Sequence, residues 1–276
     1  MSYRSLLVHI DDNESSLRGV TVAATLAGAF GAELIGSYLV PTRELTPFGS
    51  AMLPEGLVTQ MLQVSGDAQA AAEECFRDEA ARAGLSAIEW RAPAGDAIAA
   101  GIRQARYSDL TVVAQPEPGA AAAGFVTELA HSILLASGRP VLFVPYIGAR
   151  PSIGERIIVA WKDTREAARA VADAMPLLVR AKSVDVLAIL PPSQVEEKVG
   201  ERIITFLARH GVTARLRPQV AEDIGAGELL LSQVSDLSAD LVVMGGYSHS
   251  RFQERVMGGV TRVMMASMTV PVLMSH

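Results

Sequence analysis

Cysteine is almost absent from this chain: among 276 residues there is one, Cys75. A single cysteine excludes an internal disulfide and every zinc cluster built on cysteine pairs. It lies in a helical pattern, AAAEECFRDEAARAG, and reads as a small packed residue. Runs of basic charge are missing too. The chain carries 24 Lys and Arg against 30 Asp and Glu, a formal net charge of −6, with no basic stretch interleaved with aromatics, so nucleic acid is not an expected partner. Nor is there a long unbroken apolar run. The longest mildly apolar stretch, residues 20–40, is interrupted by Glu33 and three glycines, which fits a helix followed by a strand and not a membrane span. The opening MSYRSLLVHIDD lacks the long apolar region and small-residue cleavage site of a signal peptide. No GxxxxGK[ST] segment occurs, which excludes a P-loop enzyme. These absences predict a soluble cytoplasmic protein with no membrane partner.

What is present is a core and a repeat. Half the residues are hydrophobic and a fifth are charged, ample for a buried interior. Short apolar runs of strand length alternate with helical periodicity: strands at 5–10 (SLLVHI), 33–40, 86–92, 110–114 (LTVVA) and 141–144 (VLFV), with helices at 14–30, 57–83, 96–107 and 126–137 between them. The order then recurs: strands at 156–161, 183–190, 214–217, 241–244 and after Pro271, with helices at 165–180, 195–210 and 228–237 and one opening at the second glycine pair. Asp109-Leu110 returns as Asp240-Leu241, and Pro140-Val141-Leu142 as Pro271-Val272-Leu273, both 131 positions on; SLLV at Ser5 returns as RIIV at Arg156, 151 positions on. The shrinking offset reflects a longer segment after the second strand of the first copy. The expected architecture is α/β: two Rossmann-like domains, 1–148 and 149–276, joined through the Pro- and Gly-rich PYIGARPSIG. Right-handed crossovers give each five-stranded parallel sheet the order 3-2-1-4-5, with a switch point between strands 1 and 4 where ligands bind.

The richest stretch is DLVVMGGYSHSRFQERVMGGVTRVMMASMTVPVLMSH, from Asp240 to the end. A strand, a glycine turn (Gly245, Gly246), a polar basic loop and a second glycine pair (Gly258, Gly259) opening a helix form an anion cradle. Amides and the positive end of the helix dipole converge there, and absent side chains let a phosphate approach. With the turn after the first strand of this copy, the candidate nucleotide-binding set is Lys162, Asp163, Gly245, Gly246, Ser248, Gly258, Gly259 and Thr261. His249, Arg251 and Arg255 in the loop are further phosphate contacts or an exposed basic surface. In the first copy the matching positions are Ala114, Glu117, Thr127 and Glu128, with Pro116 and Pro118 removing amide donors, so no triphosphate is expected beside Asp11.

The repeated unit and this last motif resemble the universal stress protein family in its tandem form, over nearly the whole chain. Nucleotide-binding members carry Gly, two residues, Gly, nine residues, Gly and then Ser or Thr after the fourth strand. Gly245 and Gly258 match; Ser248 replaces the second glycine, Gly259 replaces the hydroxyl residue, and Thr261 lies two positions on. The family's Asp after the first strand, which contacts the adenosine end, matches Asp11 in the first copy and Lys162, next to Asp163, in the second. The resemblance implies an adenine nucleotide, ATP with Mg²⁺, a regulatory role in the stress response with a protein partner, and pairing of VLFV with VLMS in an intramolecular pseudo-dimer; a homodimer of the chain is left open. No catalytic residue and no protein-borne metal site is expected. The alternatives are a ligand-free interaction scaffold of the same family and, further off, a slow ATPase or a nucleotidyl transferase.

Four weaker signals are read structurally first. Gly225-Ala226-Gly227-Glu228 begins like a dinucleotide fingerprint but lacks the third glycine, and is a helix-start turn. Glu128 and His131 stand at i, i+3 without a second such pair and read as a solvated helix face. The methionines at 257, 264, 265, 268 and 274 fill core or dimer gaps. The apolar piece at 48–62 has no counterpart in the second copy; packing is the default reading, beside a cover over the crevice, a contact with a second subunit or a site for a small apolar ligand.

Overall fold

The computed structural model describes residues 2–41, 55–149, 152–190, 200–220, 225–247 and 259–276, with side chains for all but 55–62 and 190. In chain order the elements are β1 Ser5–Ile10, α1 Glu14–Phe30, β2 Glu33–Tyr38, α2 Glu55–Arg82, β3 Ile88–Arg91, α3 Ala97–Ala105, β4 Leu110–Ala114, α4 Ala123–Ala136 and β5 Val141–Val144. The second copy follows: β6 Arg156–Trp161, α5 Arg165–Asp173, α6 Met175–Leu178, β7 Ser183–Leu190, α7 Glu201–Arg209, β8 Ala214–Val220, α8 Ala226–Asp236, β9 Leu241–Gly245, α9 Gly259–Ser267 and β10 Val272–Ser275.

The strands form one ten-stranded sheet in the order β3-β2-β1-β4-β5-β10-β9-β6-β7-β8. Each half is parallel in the order 3-2-1-4-5, and β5 joins β10 antiparallel, with Leu142 opposite Leu273. The expected VLFV–VLMS pairing is thus the seam of an intramolecular pseudo-dimer. Side chains of the central strands alternate between two cores, as a sheet covered on both faces requires. Leu6, Val8 and Ile10 face α1 and α2, and in the same layer Val243 faces α5 and α7. Leu7, Val242 and Met244 face the other layer, with α3, α4, α8 and α9. Met264, Met268 and Met274 are buried there, as gap-filling residues should be.

The repeated Asp-Leu signature has a structural reason. Asp109 accepts the amides of Arg4 and Ser5 at 2.7 and 3.2 Å, and Asp240 accepts those of Gly154, Glu155 and Arg156 at 3.0 to 3.1 Å. Each carboxylate anchors the segment opening the first strand of its half to the start of the fourth.

Four expectations change. Cys75 is exposed: on α2 the buried positions Ala72, Phe76 and Ala80 are four apart, which leaves 75 on the solvent side. The helix expected over 165–180 divides into α5 and α6 around Ala174, where Pro176 lacks the amide that would continue the first helix. β8 runs past Pro218 to Val220, because an edge strand tolerates a missing donor. His131 does not sit on a solvated face: its Nε2 is buried. The apolar piece at 48–62 lies outside the described residues, apart from the start of α2 at Glu55.

Candidate functional site

The crevice of the C-terminal half lies at the carboxyl ends of β6 and β9, which are neighbours in register with Ala160 beside Met244. One step beyond that pair stands Gly245; on the other strand Trp161, Lys162 and Asp163 follow. Lys162 and Asp163 are exposed, and Thr164 caps α5 by accepting the Ala167 amide at 3.4 Å. The register therefore brings together three of the expected groups: Lys162, Asp163 and Gly245.

Gly245 has a packing reason to be glycine. A Cβ there would lie 2.7 Å from the Ala167 nitrogen and 2.8 Å from the Glu166 carbonyl carbon, so the first turn of α5 crosses directly over it. Gly246 is buried and contributes no free amide: its N–H donates to the Ser275 carbonyl at 2.9 Å, and its own carbonyl faces His276 Nδ1 at 3.2 Å. Gly259 is different. It opens α9, is exposed, and a Cβ on it would meet no atom of the described residues within 4 Å. Thr261, in the first turn of α9, is buried. Ser248 and Gly258, with His249, Arg251 and Arg255, lie outside the described residues.

Sequence reasoning missed Glu166. It is buried in the first turn of α5, against Gly245. Burial opposes its charge, but the Arg165 Nε donating at 2.5 Å, its own backbone amide and the Thr164 hydroxyl outweigh that and hold the carboxyl below its ordinary range. A carboxylate at a helix N-terminus is further favoured by the dipole. Nothing in the sequence marks Glu166 except its place two residues after a capping threonine.

The N-terminal crevice is filled by its own contacts. Asp11 is buried and accepts both the backbone amide and the Nδ2 of Asn13 at 2.9 Å, an Asx turn that starts α1. Tyr38 donates to Asp12 at 2.5 Å. Glu117, which the 131-residue offset matches to Ser248, pairs with Arg18 at 3.0 Å. His9 is fully buried with Nε2 against the Leu39 carbonyl at 3.0 Å, and burial, opposed by Asp11, lowers its pKa. Two surface cavities are present, one of about 360 Å³ beside Arg156 and Asp240 and one of about 410 Å³ beside Arg18 and Gly148. Among the described residues no group of three or more His, Cys, Asp or Glu is placed to hold a metal, and no helix is long and apolar enough to cross a membrane.

This fold and this pair of crevices match a known class of proteins. The model of the universal stress protein family matches residues 2–145, more than half of the chain, and the chain belongs to that family. The match lies on the half whose crevice is filled, not on the half that carries the glycine motif. A universal stress protein from Archaeoglobus fulgidus has a similar structure, with a TM-score of 0.75 and 14% identity over 98% of this chain and 94% of its own. A functionally unknown protein from Pseudomonas aeruginosa follows with a TM-score of 0.59 and 18% identity over 98% and 92%. A universal stress protein in complex with cAMP covers 53% of this chain and 99% of its own at 24% identity, with a TM-score of 0.38. No curated protein matches the chain.

Proposed function

We propose that this universal stress protein binds an adenine nucleotide, ATP with Mg²⁺, in the crevice of its C-terminal half and passes that state to a protein partner in the cytoplasm. The observation that carries the reading is Gly259. It opens α9 on the carboxyl side of the β6–β9 switch, with no atom of the described residues within 4 Å of where its Cβ would stand, and there first-turn amides and the helix dipole favour phosphate. Lys162, exposed beyond β6, adds a cation. The donor set fits a phosphate, and Mg²⁺ would be held by the phosphates themselves. On this reading the protein acts as a nucleotide binder, and no catalytic role is assigned to the crevice.

A second reading, a ligand-free scaffold, draws on Gly245 and Gly246, whose glycine character is used by packing. Thermal unfolding with and without millimolar Mg-ATP separates the two. At ligand near 100 times the dissociation constant, stabilisation is about 2.7 kcal/mol, or several degrees for a chain of this size. Gly259→Glu should keep the unliganded melting temperature, since its Cβ meets no atom of the described residues within 4 Å and a first-turn carboxylate suits a helix N-terminus. It should abolish the shift by repelling phosphate. No shift in the wild type would establish the scaffold.

A further inference from the structure

The β9–α9 unit is gripped at two points by the other half of the molecule, the exit of β9 and the exit of α9. At the exit of α9, Gln115 reaches across from the end of β4. Its Nε2 donates to the Met265 carbonyl at 2.9 Å and, more weakly, to that of Ala266 at 3.4 Å, while its Oε1 accepts the Tyr146 amide at 3.3 Å. These carbonyls belong to the last turn of α9, where a helix has no internal donors left. Gln115 is 9% exposed, so the contact is sheltered from water. By the 131-residue offset its counterpart is Gly246, which has no side chain to return the favour; there the N-terminal half fills the space instead, with Leu134 Cδ2 3.1 Å from where a Cβ would stand. At the exit of β9, Tyr247 sits at φ 55°, a left-handed conformation that costs a non-glycine residue about 1 kcal/mol. Its ring packs edge-on against His131 of α4, centroids 5.5 Å apart, and both the Tyr247 hydroxyl and His131 Nε2 are buried without a hydrogen-bond partner among the described residues. A strained residue with orphaned polar atoms persists only where its surroundings fix it.

We propose that the N-terminal half is the control element of the C-terminal nucleotide site: Gln115 holds the exit of α9 and His131 the exit of β9, and through α9 the position of its N-terminus. The inference rests on the nucleotide reading above. α9 has nine residues and is a rigid rod about 13 Å long at 1.5 Å per residue, so an axial shift at Met265 arrives undiminished at Gly259. The half without a ligand of its own then acts as more than a structural copy. Its packing sets affinity, and by reciprocity nucleotide binding tightens the contact between the halves.

Q115E tests this through pH. At pH 7.5 the new carboxyl, ionised, faces two carbonyls and the negative end of α9, and Mg-ATP should bind about tenfold more weakly than to the wild type, within the usual range of coupling between sites. When protonated it regains an O–H to donate to Met265, so at pH 5 the affinity should return to within about twofold of the wild type at the same pH; burial at a helix C-terminus raises its pKa towards that range. The charged groups around this contact are Glu117, two residues on from Gln115 and paired with Arg18, which also donates to the Tyr146 carbonyl, and the exposed Arg262, three residues before Met265 on α9. Q115M, of similar shape with no donor, should lose affinity at both pH values, and it carries the test if Q115E does not fold. Equal affinity of the variants and the wild type at pH 7.5, or no recovery of Q115E at pH 5, overturns the proposal while the nucleotide reading stands. A wild type that does not bind Mg-ATP overturns both.

Discussion

In the N-terminal half the first helix approaches the fourth strand through Gly19, on the helix; a Cβ there would lie 3.3 Å from the Cβ of Ala114 on β4. In the C-terminal half the small residue has changed sides. The counterpart of Gly19 is Ala170, 151 positions on, the counterpart of Ala114 is Gly245, 131 positions on, and the contact moves to the first turn of α5. One topology thus accommodates two helix placements. In the second, the N-terminus of α5 is drawn onto the carboxyl end of β9, beside the crevice, and Glu166 is buried there. The lesson is that Gly245, which in the motif reads as room for a ligand, is first of all room for a helix. Gly259, whose Cβ would meet no atom of the described residues within 4 Å, shows no such packing reason among them.

The largest effect that would sharpen this contrast is Gly245→Ala. The clash is with backbone atoms of α5, so the helix must move, and overpacking of this kind costs about 3 kcal/mol, the upper part of its usual range. Ala114→Gly at the matching position removes one methyl and should cost about 1 kcal/mol. Urea denaturation of both variants measures the difference, and equal costs would break the comparison. Next come the two anchoring carboxylates. Asp240→Ala strands three backbone donors and should cost about 2 kcal/mol, while Asp109→Ala strands two and should cost less; the adjoining surface cavity admits water to Asp240 and keeps the figure low. An Asp109 variant less stable than the Asp240 variant would refute the donor count.

Acid should act first on the N-terminal half. Burial lowers the pKa of both His9 and His131 from the ordinary 6.5. The unfolded chain then binds protons that the folded one does not, so the stability these neutral rings permit is full above about pH 6.5 and declines as pH falls below it. Hydrogen exchange at pH 7.5 and 5.5, corrected for intrinsic rates, should show β1 and β2 losing protection relative to β6 and β7; uniform loss would remove the asymmetry. The smallest effect is Glu117→Gln. Arg18 and Glu117 are 36% and 48% exposed, and breaking so open a pair should change stability by no more than about 0.5 kcal/mol.

Most of the fold was legible because strands buried on both faces advertise themselves. LLVHI, LTVVA and LVVM are runs that only a covered parallel sheet explains, and their recurrence at fixed offsets exposed the duplication. The candidate site was legible only as a spacing. That spacing could not tell that Gly246 gives its amide to Ser275, or that Glu166 lies buried beside the crevice, because both depend on which elements cross in space. Gln115 and Tyr247 were invisible for the same reason: Met265 and Tyr247 lie more than a hundred residues from the partners, Gln115 and His131, that give them meaning. Cys75 and Pro218 were misread on local grounds, one by a helix face set by Phe76, the other by an edge that only the strand order creates.

By itself, then, the sequence determined what depends on neighbours along the chain: which segments extend, which coil, where a glycine such as Gly31, at φ 61°, closes a helix, and that the whole is written twice. Only the tertiary structure decided which glycines make room for helices, which amides stay free, and that β5 and β10 join two copies into one sheet through which each half holds parts of the other. The physical reason is range. Local torsion and periodicity act over a few residues, whereas close packing and hydrogen-bond satisfaction are settled between atoms that meet only when the chain has folded.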